Sequence, residues 1–318
     1  MQTVFLVGPT AVGKSAVALE LARRLNAEIV SADSMQVYRG MDIGTAKATR
    51  EEQKLVRHHL LDICEVNETF DAKRFVDLAT NAITAIHQRG KPALVVGGTG
   101  LYIRALRRGL FAGPGRDEKL RAKLEMMPTE TLGAELERVD PLTASKIDRK
   151  NRRRLVRALE VFVATGRPLA EMQKEWVRGS EFRVQSSQIG FCLNREREDL
   201  RARIDRRIDE QIAAGWVEEV RRLVAAIPCL DVTIVTSKHG ILQAAGYREL
   251  AAHLRGEMTL PEAVALIKTR TRQLAKRQLT WFRREPDLIW VAMGQAETAA
   301  VVADRIQGML EGGHEQPA

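Results

Sequence analysis

The stretch from Gly8 to Ser15 reads GPTAVGKS and matches the phosphate-binding pattern G-x-x-x-x-G-K-[ST] in full. The run VFLV at 4–7 predicts a buried strand before it, and the apolar spacing of AVALELARRL at 16–25 predicts a helix after it. In this context the glycines allow a tight turn that aims backbone N–H groups and a helix N-terminus at one anion. Lys14 adds a positive charge, and the Ser15 hydroxyl is suited to bind Mg²⁺. The sequence therefore predicts a site for a phosphate or diphosphate.

The composition is that of a globular protein with an excess of positive charge. Among the 318 residues, 50 are Lys or Arg and 41 are Asp or Glu, and the formal net charge of +9 favours a polyanionic partner. Cys64, Cys192 and Cys229 form no C-x-x-C pair, so we predict neither a disulfide framework nor a zinc finger. No apolar stretch approaches the ~18 residues of a membrane span. We expect a cytoplasmic monomer with no membrane partner.

Short apolar runs alternate with helical patterns, which predicts an α/β fold with a P-loop parallel-sheet core. Further strands are expected at 28–32, 93–96, 187–193 and 288–292. From 116 to about 183 the pattern is mostly helical and is interrupted at Pro128, Pro141 and Pro168. We therefore assign 1–112 and 186–318 to the catalytic core and 113–185 to a mostly helical insertion domain.

Two polar residues stand where predicted strands end, at the sheet edge where ligands bind in open α/β folds. Asp33 follows the second strand and could be a general base or a metal ligand, although SADS is also good turn chemistry. The next strand runs into Gly97-Gly98-Thr99 without the carboxylate that holds Mg²⁺ in many NTPases. Thr99 could donate a hydrogen bond to a phosphate oxygen, or the segment could be a plain glycine-rich turn.

Basic residues concentrate at 150–157, at 195–207 and most strongly at 268–284. The last segment has seven basic residues and no acidic one, with Lys268, Lys276 and Arg272 four residues apart along one helical face. Because like charges at this spacing cost stability, the segment suggests a bound polyanion such as RNA. Trp281 and Phe282 beside it could stack on bases or fill the core.

The chain resembles the tRNA dimethylallyltransferase (tRNA isopentenyltransferase) family in its bacterial form. The matching segments are GPTAVGKS at 8–15, SADSMQVYRGMDIGTAK at 31–47, GGTGLY at 97–102, RRLVRALEVF at 153–162, AAGYRE at 244–249 and AKRQLTWFR at 275–283. The resemblance implies transfer of a dimethylallyl group from dimethylallyl diphosphate to N6 of adenosine 37 of tRNA, beside the anticodon, with release of diphosphate. It also implies Mg²⁺ as cofactor and the tRNA anticodon stem-loop as partner, gripped by the helical insertion.

The resemblance further implies roles for individual residues. Asp33 would accept a proton or hydrogen bond from the adenine amine, Ser15 would bind the metal, and Thr99 and Arg203 would stabilise the leaving group, with Arg207 as the alternative arginine. Diphosphate binding falls on Gly8, Thr10, Ala11, Val12, Gly13, Lys14 and Ser15. Contacts with tRNA fall on Asp33, Ser34, Met35, Gln36, Thr99, Arg121, Arg153, Arg154, Leu155, Val156, Arg157, Gln243, Gly246, Tyr247, Arg248, Lys276, Arg277, Gln278, Trp281 and Arg283.

Several points stay open at the level of sequence. Either Gln36 or Ser34 could read the adenine, and KNRRR at 150–154 departs from the Asn-Asp that often precedes these arginines in the family. A transferase acting on free adenine nucleotides or a small-molecule kinase would share the phosphate loop, but it would need no RNA surface. A non-enzymatic RNA-binding protein would have no use for Asp33 at the strand end.

Overall fold

The protein is described by a computed structural model that covers residues 2–109, 113–115, 117–175, 187–226 and 244–312. It divides into two compact units, one formed by Met1–Ile103 with Gln185–Ala318 and the other by Arg104–Val184. Our sequence-based assignment places the helical segment at 113–185, so the first division lies nearer the N-terminus than expected. Helix α4 (Gly100–Arg108) continues past this division.

The first unit contains a parallel sheet with the order β3-β2-β4-β1-β5-β6, six strands among the described residues. The predicted parallel α/β class is therefore confirmed. The strands are β1 (Gln2–Val7), β2 (Glu28–Ser31), β3 (His58–His59), β4 (Ala93–Gly97), β5 (Ser187–Asn194) and β6 (Leu288–Ala292). Helices that begin in the first unit are α1 (Lys14–Leu25), α2 (Arg50–Leu55), α3 (Ala72–Gln88), α4 (Gly100–Arg108), α10 (Arg197–Ala213), α11 (Trp216–Ala225), α12 (Tyr247–Leu254), α13 (Leu260–Phe282) and α14 (Ala299–Glu311).

The second unit is built on helices throughout its described residues. These are α5 (Glu118–Met126), α6 (Thr129–Val139), α7 (Pro141–Ala144), α8 (Arg152–Thr165) and α9 (Leu169–Glu175). Leucines of α6 and α8 form its apolar core, with Leu132, Leu136 and Leu155 at most 1% exposed. Two prolines mark helix starts, as expected for a residue without an N–H to satisfy: Pro128 precedes α6 and Pro141 begins α7.

The sheet register brings the ends of four strands together. Val7 of β1 pairs with Gly97 of β4 on one side and with Cys192 of β5 on the other, and Ser31 of β2 pairs with Val96. Because the strands are parallel, the chain leaves all of them at the same edge. The phosphate loop, Asp33 and the Gly97–Thr99 turn therefore emerge side by side.

The segment between β2 and α2 is held in place by buried ions. The Lys47 ammonium is almost fully buried and donates to the Tyr38 carbonyl at 2.8 Å and to the carboxylates of Asp42 and Asp62 at 2.6 and 2.5 Å. Satisfied in this way, a buried cation helps to fix the path of an irregular segment whose Val37, Tyr38 and Met41 enter the core. Some residues of the motif at 31–47 thus serve to maintain the fold.

A second buried ion closes the same segment from α11. Glu219 is 1% exposed, and its carboxylate accepts from the backbone N–H groups of Asp42, Ile43 and Gly44 at 2.6–3.2 Å. The Tyr247 hydroxyl donates to it as well, at 2.7 Å. Burial and this adjacent carboxylate raise the pKa of Tyr247 above its ordinary value. The carboxylate thus ties α12 and the 42–44 turn to α11.

We predict that Glu219→Gln destabilises the protein by about 2 kcal/mol, because an amide NH₂ would face backbone donors that are left unsatisfied in the interior. The measurement is the free energy of unfolding in urea. Glu218→Gln is the matched control, since Glu218 on the same helix is exposed and its ion pair is with Arg221, itself a surface residue. Equal stability of the two variants would contradict the assigned role of Glu219.

Candidate functional site

The phosphate loop has the backbone conformation that its glycines permit. Gly8 and Gly13 have φ values of 150° and 110°, and a Cβ atom on Gly8 would lie 2.7 Å from the carbonyl oxygen of Leu193. Gly13 is the N-cap of α1, which begins at Lys14. The helix N-terminus, with its unpaired N–H groups, therefore opens directly from the loop.

The Lys14 ammonium folds back over this loop. Its Nζ donates to the carbonyl oxygens of Gly8 at 2.9 Å and Pro9 at 2.7 Å. Burial lowers the pKa of Lys14 to about 8, and the positive charge of Arg207 adds to the effect, whereas Asp33 opposes it. The charged form of Lys14 is therefore destabilised in the empty loop, and a bound anion would stabilise it.

Two arginines from the chain after β5 brace the same loop from outside. Arg203 on α10 donates from Nε to the Ala11 carbonyl at 3.0 Å, and Arg195 donates from Nε to the Val12 carbonyl at 2.9 Å. Arg195 also pairs with Asp199 at 2.8 Å. Arg195 was not among the predicted site residues, although its place directly after β5, the neighbour of β1, is a signal that could have found it.

Gln278 of α13 joins the phosphate loop to the glycine-rich turn. Its Oε1 accepts from the Thr10 N–H at 2.9 Å, and its Nε2 donates to the Gly98 carbonyl at 3.0 Å. A Cβ atom on Gly98 would lie 2.5 Å from that nitrogen, so this position favours glycine. The predicted RNA-contacting helix thus touches the predicted diphosphate site through one side chain.

Asp33 and Thr99 meet at the adjacent strand ends, and both are part of a turn. Asp33 Oδ1 accepts from the N–H groups of Met35 at 2.8 Å and Gln36 at 3.4 Å. Thr99 Oγ1 accepts from the Ser34 N–H at 3.1 Å. The turn interpretation of SADS is therefore correct. It does not exclude a chemical role, because the turn leaves Asp33 Oδ2 without a hydrogen-bond partner among the described residues.

These residues border a cavity of about 360 Å³ within the first unit. Arg207 lies in its wall, with Nη2 3.4 Å from the Thr45 carbonyl oxygen. Burial lowers the pKa of Arg207, and the nearby Asp33 carboxylate raises it. The wall also includes Thr10, Ala11, Asp33, Ser34, Met35, Gly44, Thr45, Gly98, Thr99, Gly100, Ile204, Ile208, Gln211, Trp216, Ala244, Ala245, Tyr247, Thr271, Leu274, Arg277, Gln278 and Trp281.

The sequence left the roles of Trp281 and Phe282 undecided, and the structure places one in the core and the other at the cavity. Phe282 is fully buried, whereas Trp281 is half-buried and lines the cavity beside Gly100. A Cβ atom on Gly100 would lie 2.6 Å from the indole, so the glycine allows the ring its position. Trp281 is thus the aromatic surface that could meet a flat ligand.

Other predicted RNA contacts are used inside the fold. The Gln36 amide accepts from the Ser31 hydroxyl at 3.0 Å and donates to the Thr45 and Ala46 carbonyls at 3.2 and 3.3 Å. Gly246 packs against Trp216, and its neighbour Tyr247 is completely buried. Gln243 lies outside the described residues. Arg248 at the start of α12 is exposed.

In the second unit, the predicted contacts form two groups. Leu155 and Val156 are at most 2% exposed, so only their backbone is available to a ligand. Arg121 and Arg157 both bind the fully buried Glu160, at 2.8 and 2.7 Å. On helix α8, Arg153 and Arg154 are both exposed instead.

The basic face of α13 is partly neutralised by acidic residues of other helices. Lys268 pairs with Asp209 at 2.7 Å and Arg272 with Asp205 at 2.5 Å, both on α10, and Arg270 pairs with Glu249 of α12. The inference from like charges along one helix therefore needs correction, because it ignored partners distant in sequence. Further along, Lys276, Arg277, Arg283 and Arg284 are exposed, with no ion pair to any described residue.

A magnesium ion would find only part of a coordination sphere in this protein. The Ser15 side chain at the start of α1 is exposed, and the described ranges hold no cluster of three His, Cys, Asp or Glu residues suited to a metal. Mg²⁺ commonly keeps several waters and shares oxygens with bound phosphates. The donor set therefore fits an ion that is bound together with a diphosphate.

No helix in the described part of the chain is long and apolar enough to cross a membrane.

Comparison with known sequences gives a consistent result. The chain is 49% identical over 292 residues to the tRNA dimethylallyltransferase of Geobacter metallireducens, with 91% of each chain covered. It is 50% identical over 295 residues to tRNA dimethylallyltransferase 1 of Trichlorobacter lovleyi, with 92% of this chain and 93% of that one covered.

Solved structures agree with the sequence comparisons. The full-length tRNA isopentenylpyrophosphate transferase of Bacillus halodurans superposes with a TM-score of 0.69 at 38% identity, covering 98% of this chain and 97% of that one. A eukaryotic dimethylallyltransferase acting on tRNA superposes with a TM-score of 0.81 at 27% identity, covering 98% and 78%. The sequence model of the family described as IPP transferase matches residues 36–285. This chain belongs to the IPP transferase family.

Proposed function

We propose that this chain transfers a dimethylallyl group from dimethylallyl diphosphate to N6 of adenosine 37 in the anticodon loop of tRNA and releases diphosphate. The observation that carries the proposal is the meeting of a phosphate loop, a carboxylate and a half-buried indole in one cavity. The names of the relatives describe the same reaction, and a eukaryotic relative has been crystallised acting on tRNA.

The phosphate loop holds the leaving group. Breaking the bond between the allylic carbon and oxygen builds negative charge on the diphosphate, and preorganised donors that meet this charge lower the barrier. Lys14, the N–H groups at the start of α1 and the Thr99 hydroxyl would supply such donors. A divalent ion, which we take to be Mg²⁺ on the Ser15 hydroxyl, would neutralise further charge when it is bound with the diphosphate.

Of the two candidate arginines, Arg207 is better suited to the diphosphate. The Nε–H group of Arg203 already donates to the Ala11 carbonyl, so this arginine holds the loop in place. Arg207 lies in the cavity wall, its Nη2 makes a long hydrogen bond of 3.4 Å to the Thr45 carbonyl, and no carboxylate pairs with it within 4 Å among the described residues. A buried guanidinium without a paired anion is stabilised by an anionic ligand.

Asp33 is the group that would accept the N6 proton. An adenine amine is a poor nucleophile, so transfer depends on its alignment with the allylic carbon and on removal of the proton as the new bond forms. The turn fixes Oδ1 through two backbone donors and leaves Oδ2 available. Trp281 would stack on the adenine after it is extruded from the loop of the RNA, which costs a few kcal/mol.

The RNA itself would be held by the exposed end of α13 and by the helical second unit. Lys276, Arg277, Arg283 and Arg284 form what we call the distal basic patch, and they are the cations in the last turns of α13 and just after it that a phosphate backbone could use. Arg153 and Arg154 offer a comparable surface on α8, so we assign the second unit to the anticodon stem. The protein would work as a monomer in the cytoplasm.

The proposed reaction is tested with labelled dimethylallyl diphosphate, Mg²⁺ and an unmodified anticodon stem-loop. We expect label in the RNA, and loss of that label when the target adenosine is replaced. AMP and ATP serve as parallel acceptors. Label in the free nucleotides alone would move the protein to a different class of transferase, and ATP hydrolysis without transfer would contradict the proposal altogether.

In the same assay, Asp33→Asn should lower single-turnover transfer by about 10²–10⁴ while RNA affinity stays within about threefold. The amide oxygen can still accept from Met35 and Gln36, so the turn is retained and only the proton acceptor is lost. Asp77→Asn is the control, because Asp77 lies on α3 and does not line the cavity. Unchanged transfer by the Asp33 variant would remove it from the mechanism.

Affinity for dimethylallyl diphosphate should fall by roughly 25-fold between pH 7.5 and 9.5, because the empty site loses the Lys14 proton above its pKa of about 8 while the ligand binds the protonated form. The diphosphate completes its own ionisation near pH 6, so its charge is constant in this range. Cys192 beside Lys14 does not titrate there, since burial raises its pKa to about 12.

Calorimetry on the wild type and on Lys14→Ala measures this dependence. The variant should bind weakly at every pH and show no fall in affinity across the window. A wild-type affinity that is constant from pH 7.5 to 9.5 would mean that the ammonium does not contribute to binding.

Lys276→Ala should weaken binding of the stem-loop and reduce the slope of log K against log salt by about 1, as expected when one phosphate contact is lost. Lys268→Ala is the matched control on the same helix, because Lys268 is already paired with Asp209. Its salt slope should equal that of the wild type. Equal slopes for all three proteins would show that the distal basic patch does not face RNA.

A further inference from the structure

The cavity has a polar wall and an apolar wall. Thr10, Asp33, Thr99 and Arg207 belong to the polar wall described above. The apolar wall is made by residues of α10, α11, α12 and α13 together with the turn before α12: Ile204, Ile208, Trp216, Ala244, Tyr247 and Leu274. A ligand with a charged head and a hydrocarbon tail matches this division.

Two contacts of helix α10 show how far the phosphate loop lies from the turn that contains Gly44. Arg203 near its start binds the phosphate loop, and Gln211, eight residues later, donates to the carbonyls of Ile43 and Gly44 at 2.6 and 3.2 Å. With a rise of 1.5 Å per residue, these contacts lie about 12 Å apart along the helix. The apolar wall therefore continues from the diphosphate site towards the turn that contains Gly44.

Trp216 stands at that turn, and two glycines enclose its ring. A Cβ atom on Gly44 would lie 2.1 Å from the indole Nε1, and a Cβ atom on Gly246 would lie 2.1 Å from Cη2. The ring of Tyr247 packs edge-on, with centroids 5.6 Å apart and planes at 74°. The indole is 2% exposed and has no room to move towards either glycine.

The surroundings of the indole are rigid as well. Glu219 binds the N–H groups of the 42–44 turn and the Tyr247 hydroxyl, so the two segments that enclose Trp216 are tied to its own helix. Displacing the ring would require breaking buried hydrogen bonds to a carboxylate, which are among the stronger ones. The apolar wall thus ends at a fixed surface.

We propose that Trp216 limits the length of the prenyl chain that the cavity accepts, and so selects a five-carbon donor over a ten-carbon one. The inference rests on the proposed function, in which the diphosphate is fixed at the phosphate loop. A longer chain attached to the same head group must then extend along the apolar wall into the indole. Overpacking a rigid apolar site is costly, so the ten-carbon donor is disfavoured.

The chemistry is the same for either donor. The bond between C1 and the diphosphate oxygen breaks, and its electron pair leaves on diphosphate. The N6 lone pair forms the new bond to C1, and the N6 proton passes to the Asp33 carboxylate. Only the length of the chain beyond C1 differs, so a change in the preference between donors reports on the wall and not on the reacting groups.

The test compares dimethylallyl diphosphate with geranyl diphosphate. Trp216→Phe and Trp216→Leu should raise the ratio of kcat/KM for geranyl to that for dimethylallyl diphosphate at least tenfold, chiefly through a lower KM for the longer donor. Trp290→Leu is the matched control: Trp290 lies on β6, is 38% exposed and does not line the cavity, so its ratio should stay at the wild-type value. An unchanged ratio in a folded Trp216 variant would overturn the inference.

Binding of the two donors to the wild type, measured by calorimetry without RNA, decides the matter even where the variants do not fold. Weaker binding of geranyl diphosphate is expected, and equal binding would overturn the inference. This measurement needs no transfer. A failure of the wild type to prenylate RNA would therefore contradict the proposed function separately from the length limit.

Discussion

The site depends on the binding of the phosphate-loop carbonyls by cations. Lys14 binds the carbonyl oxygens of Gly8 and Pro9, and Arg203 and Arg195 bind those of Ala11 and Val12. A carbonyl oxygen that faced a diphosphate would repel it, so occupying these oxygens with positive side chains removes the main electrostatic obstacle within the loop. The same cations raise the local positive potential. Loop shape and loop charge therefore have one origin, and α10 is part of the phosphate site because it carries Arg203.

The features that depend on local sequence could be predicted, and those that depend on packing between distant segments could not. The phosphate loop, the strands beside it and the parallel class follow from local pattern, and the structure confirms them. Strand β3, with only His58 and His59, shows no apolar run and could not be found. The acidic partners of α13 could not be found either, because they lie on α10 and α12 and sequence order says nothing of which helices pack together. Lys268 and Lys276 look alike in the sequence, and only tertiary structure shows that Lys268 is paired whereas Lys276 has no ion pair with a described residue.

The family motifs carry two kinds of information that sequence alone cannot separate. Asp33 and Thr99 in such motifs border the cavity, whereas Lys47 and Gln36 hold the segment together from within. Gly44 and Gly246, from different motifs, are both small because the same tryptophan lies against them. Trp216 itself belongs to none of the quoted motifs. A motif therefore marks positions where the fold restricts the side chain, and the residue that imposes the restriction can lie outside the motif.

Gln278 connects helix α13 to the phosphate loop and to the glycine-rich turn beside it. One amide bonds the Thr10 N–H of the phosphate loop and the Gly98 carbonyl of the neighbouring turn, while Arg277 and Trp281 on the same helix line the cavity. A small displacement of α13 by RNA would act on both strand ends at once, because two hydrogen bonds from a rigid planar group leave little freedom. The helix that leads to the distal basic patch is thus also a wall of the cavity. Under the proposed function, acceptor and donor are positioned by one element, which is what an alignment-limited attack by a weak nucleophile requires.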